Sequence, residues 1–69
     1  MKFIPGNKFI NNTTSNTKFF KRGIIYKLAN IKLVDDEYEY TFILPDRTSK
    51  KIKFKSIEIA DDFLQTILI

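Results

Sequence analysis

Glu37-Tyr38-Glu39-Tyr40-Thr41-Phe42-Ile43-Leu44 is the most regular alternation in the chain. Successive side chains of an extended chain point to opposite faces, so Tyr38, Tyr40, Phe42 and Leu44 share one face while Glu39, Thr41 and Ile43 take the other. Period two with apolar residues on one side predicts a half-buried β-strand. Turn signals stand at both ends. Asp35-Asp36 reads as a hairpin turn, and Pro45-Asp46-Arg47-Thr48 as a second reversal, with Pro pre-setting φ at the turn's second position and Asp bonding to nearby backbone.

Downstream, Lys51-Ile52-Lys53-Phe54-Lys55 alternates strictly, turning Ile52 and Phe54 inward and three lysines outward, as in an edge strand. From Ser56 the period lengthens to about 3.6, because Ile57, Ala60, Phe63, Leu64, Ile67 and Leu68 fall on one helical stripe. Ser56 suits the N-cap, and Glu58, Asp61 and Asp62 place negative charge near the positive end of the helix dipole. Upstream, residues 24 to 34 are rich in β-formers, but Ile24, Tyr26 and Leu28 occupy one parity and Ile25, Ala29, Ile31 and Leu33 the other. That mismatch predicts a bulge or a coil near Ala29-Asn30 where the strand changes sheets. Pro5-Gly6 marks a turn before a short first strand near residues 7 to 11, and residues 11 to 18 are uniformly polar and read as a long loop.

In 69 residues this makes one domain, residues 1–69, with neither internal repeats nor a linker. The opening Pro5-Gly6-Asn7-Lys8-Phe9, the long loop from Asn11 to Arg22 and the short turn at Pro45-Asp46-Arg47-Thr48 give an order of elements that resembles a small SH3-like barrel. The expected class is therefore mainly β: a small SH3-like barrel or a strongly twisted antiparallel sheet of four to five strands with a C-terminal helix. A fifth strand would come from Thr66 to Ile69 or from Phe3-Ile4. The chain has no tryptophan and no Ala-Leu-Tyr-Asp-Tyr type segment, so polyproline binding does not carry over. The abundance of Lys, Ile, Asn and Phe is what an AT-rich genome yields, and in that respect the chain looks like a small accessory protein of the phage-encoded type.

Composition narrows the chemistry. Neither histidine nor cysteine is present, which removes the usual bases, nucleophiles and zinc ligands. Asp35, Asp36, Glu37 and Glu39 lack the spacing of a calcium loop and read as a solvated turn. No enzyme activity, metal or cofactor is expected. The Asn-x-Thr patterns at Asn11 and Asn12 read as polar loop chemistry. The N-terminus lacks the apolar core of a signal peptide, and no apolar run approaches the roughly 20 residues of a membrane span, so a cytoplasmic location without membrane contact is expected.

Charge comes in blocks of +7, −5, +5 and −3 along the chain, for a net +4. Lys18, Phe19, Phe20, Lys21 and Arg22 set aromatic rings among cations, and Lys27, Lys51, Lys53 and Lys55 extend the basic set. Rings stack on bases and cations neutralise phosphates, so these residues form a candidate nucleic-acid surface. The competing reading puts Phe19 and Phe20 in the core and the lysines on a protective edge. Phe63, Ile67, Leu68 and Ile69 form a second candidate, an apolar helix end that would dock a protein or support weak self-association, unless it simply covers the sheet. The expected function is a non-enzymatic module that docks on a macromolecular partner, protein or nucleic acid, with the acidic hairpin and basic strand as opposed charged surfaces.

Overall fold

A computed structural model of the chain describes residues 3–11 and 20–67. Its elements are β1 (Lys8–Ile10), β2 (Ile25–Val34), β3 (Glu37–Ile43), β4 (Ser49–Phe54) and α1 (Ile57–Leu64). The strands form one open antiparallel sheet in the order β1-β2-β3-β4, mainly β as the alternation demands. Of the two architectures expected, the described residues build the open antiparallel sheet with its C-terminal helix. They supply four strands and no fifth.

Turn chemistry sets the registers. Asp35 (φ 51°) and Asp36 (φ 63°) both lie in the left-handed region, as a two-residue hairpin with a primed turn requires, and bring Val34 opposite Glu37. Between β3 and β4, Arg47 N–H donates to the Leu44 carbonyl at 2.9 Å and Leu44 N–H to Thr48 at 2.9 Å, with Arg47 at φ 71°. This is a turn followed by a left-handed residue, the three-residue hairpin with a bulge. Asp46 accepts from Thr48 N–H at 3.0 Å and from its hydroxyl at 2.6 Å. Before β1, Asn7 N–H reaches the Ile4 carbonyl at 3.2 Å, and Gly6 at φ 107° occupies the turn position that rejects a side chain.

The bulge in β2 falls between Leu28 and Asn30, as the broken parity predicts. Its consequence differs from the expected change of sheet. Both halves of β2 pair with β3, and the extra residue flips the parity. Ile31 therefore lies opposite Tyr40, and Leu33 opposite Tyr38, on the same face as Tyr26 and Leu28.

That inner face carries Phe9, Tyr26, Leu28, Tyr40, Phe42 and Ile52, all buried, and α1 lies over it through Ala60 and Leu64. Ser56 caps the helix, its hydroxyl accepting from Ile59 N–H at 3.1 Å. The helix is shorter than the stripe suggested and ends at Leu64, beyond which the chain turns until the Ile67 carbonyl accepts from Ile10 N–H at 2.8 Å. The segment that follows the helix is thereby tied to the β1 edge.

Candidate functional site

Pairing assigns the other face of the sheet residue by residue, because directly opposed residues share a face. Lys8 stands opposite Lys27, which neighbours Ile43. The row led by Asn30 runs through Thr41 to Lys51, and the row led by Lys32 through Glu39 to Lys53. All of these lysines are exposed. The expected opposition of an acidic hairpin to a basic strand is not what the sheet builds. Glu39 of the acidic block lies between Lys32 and Lys53 of basic ones, while Asp35 and Asp36 occupy the turn at one end.

Glu39 is buried, 8% exposed, and Lys32 Nζ stands 3.7 Å from its Oε1, which makes no hydrogen bond among the described residues. The lysine is half exposed, so the pair fixes an orientation more than it adds stability. Lys8 and Lys27, in contrast, are like charges facing each other, an arrangement that disfavours the sheet.

The residues singled out in the sequence divide sharply. Lys27, Lys51 and Lys53 converge on the outer face. Lys21 and Arg22 are exposed next to the turn that leads into β2, where Arg22 bridges to Asn11, and Lys55 is exposed just past β4. Phe20 is not at the surface. It is 2% exposed, with ring centroids 4.6 Å from Tyr26, 5.0 Å from Phe42 and 5.7 Å from Phe63, so its ring cannot stack on a base. Ile67 is buried at 7% exposure and Phe63 packs half-buried against the core, so these two turn inward instead of forming the free apolar surface expected of a docking helix end. Lys18, Phe19, Leu68 and Ile69 lie outside the described residues.

Lys8 and Lys32 join the surface without having been singled out, since only the strand register shows whom they face. Asn11 is buried, its amide donating to the Phe20 carbonyl at 3.1 Å, which makes it part of the scaffold rather than a glycan acceptor. The Tyr40 phenol is held above its ordinary pKa by burial first and then by the charge of Asp61, with a smaller contribution from Tyr38. Asp46 is held below the usual carboxylate range by its hydrogen bonds from Thr48. Among the described residues no group of three or more metal-ligating side chains gathers, and no helix is long and apolar enough to cross a membrane.

Compared with protein-family models, curated proteins and solved structures, the chain matches none.

Proposed function

We propose that this protein is a non-enzymatic binding module that docks on an anionic macromolecular partner through the outer face of its sheet. One observation carries the reading: strand register collects Lys8, Lys27, Lys51 and Lys53, drawn from distant parts of the sequence, on a single exposed face. The helix lies over the opposite face through Ala60 and Leu64, whereas the lysine face carries no covering element among the described residues. Lys8 and Lys27 repel each other in the free protein, and a bound anion relieves that repulsion. The lack of histidine and cysteine fits a binding role, exercised in the cytoplasm and, for a phage-encoded accessory protein, in that of the host.

The test is capture from cell lysate with the wild-type chain and with Lys27→Glu/Lys51→Glu, both verified as folded by circular dichroism. Wild type is expected to retain a partner that 0.5 M salt releases, and the double variant to retain none. Equal retention by the two would sink the reading.

A further inference from the structure

We infer that the partner is double-stranded nucleic acid, held at its phosphates without base contacts. This rests on the docking reading above and narrows it to one class of macromolecule.

The first support is what the face lacks. Among the described residues every aromatic ring belongs to the core or packs against it, and none stands on the lysine face as a stacking platform for single strands. Protein interfaces draw their anchors from aromatic residues, methionine and arginine and are depleted in lysine. This face is built the other way, with lysines on aliphatic and small polar neighbours: Ile43 beside Lys27, and Asn30 and Thr41 beside Lys51.

The second support is shape. Four strands span about 14 Å between the outer pair, and residues two apart on a strand rise about 7 Å. A major groove about 12 Å wide admits a helix or a two-stranded ribbon, so a sheet of this width rests across the phosphate ridges instead of entering. Lys8 and Lys27 stand on β1 and β2, and Lys51 and Lys53 on β4, about 10 Å further across the sheet, so the two sets face phosphates of neighbouring ridges.

The third support is the gradient of charge. Glu39 holds Lys32 at 3.7 Å, and the turn acids Asp35 and Asp36 lie beyond that row, so the end bearing Lys8 and Lys27 attracts the backbone most strongly. Register on the ligand is thereby fixed by electrostatics alone, which contributes affinity but no reading of sequence.

The experiment is fluorescence anisotropy of the full chain with a labelled 20-base-pair duplex of arbitrary sequence. A second unrelated duplex, the corresponding single strand and polyglutamate serve as comparison probes. With Lys8, Lys27, Lys51 and Lys53 on phosphates, log affinity against log salt is expected to fall with a slope of about −3.6 on duplex. The two duplexes should bind within twofold of each other, and the single strand and polyglutamate at least fivefold more weakly. Lys27→Glu/Lys51→Glu should lower duplex affinity more than tenfold at 50 mM salt. Glu39→Gln, by freeing Lys32, should tighten binding and steepen the slope by about one.

Single-strand binding tighter than duplex, or a slope shallower than −1, would overturn the inference. So would polyglutamate binding equal to duplex and equally abolished by the charge reversal, a result that leaves the docking face intact and moves the partner to acidic protein. Charge reversal without effect on any probe would remove both the inference and the docking reading.

Discussion

Phe20 and Phe63 stack on each other, centroids 5.7 Å apart and planes 21° from parallel. Read along the chain, one belongs to a nucleic-acid patch and the other to a protein-docking helix. Folding brings them together, burying Phe20 fully and Phe63 in part, with Phe54 completing the cluster 5.9 Å from Phe63. Truncating Phe20 therefore tests the core. Phe20→Ala is expected to cost about 3–5 kcal/mol, comparable to the whole stability of a domain this small, and to abolish the urea transition, whereas Phe20→Leu keeps a cooperative one. A Phe20→Ala variant with wild-type stability would place the ring outside the core.

The Tyr40 hydroxyl is buried without a hydrogen-bond partner among the described residues, beside the charge of Asp61. Tyr40→Phe removes that desolvated group and is expected to stabilise the protein by about 1 kcal/mol at neutral pH, read by urea melting.

The same residue fixes a pH dependence. Its pKa is raised in the folded state, so the unfolded chain loses the phenolic proton first as pH climbs past 10.0, its ordinary value. Stability attributable to Tyr40 is complete below that pH and is lost as pH rises through the higher folded-state value. Wild type is expected to lose stability relative to Tyr40→Phe between pH 9 and 12, and parallel curves would contradict the burial of the phenol.

Lys32 and Glu39 are asymmetric partners, the cation half exposed and the carboxylate buried. Removing the cation takes away the ion-pair partner of a buried carboxylate and leaves it only the neighbouring Lys53, so Lys32→Ala is expected to cost about 1 kcal/mol. Glu39→Gln removes the charge itself and should change stability by less than about 0.5 kcal/mol. Equal losses in thermal melts would contradict the difference in burial.

Arg47 holds φ 71° at the position where the three-residue hairpin favours glycine. Arg47→Gly is expected to raise stability by about 1 kcal/mol, while Gly6→Ala, forcing a side chain onto φ 107°, should lower it by 1 kcal/mol or more. Thermal melts of the two variants should shift in opposite directions.

Local patterning was enough for the elements: the alternation in β3 and β4, the irregularity near Ala29-Asn30, the turns at Asp35-Asp36 and Pro45 to Thr48, and the helix capped by Ser56. Each follows from local side-chain periodicity or backbone preference, which act over a few residues. Which cations share a surface, and which rings leave it, emerged only on folding. Lys8 meets Lys27 only through strand register. Phe20 and Phe63 meet because burying apolar area in a small core outweighs any arrangement that leaves their rings in water. The bulge shows the boundary between the two: local sequence revealed its position, but the faces of Ile31 and Leu33 depended on pairing with β3, since one extra residue reverses every side chain that follows it.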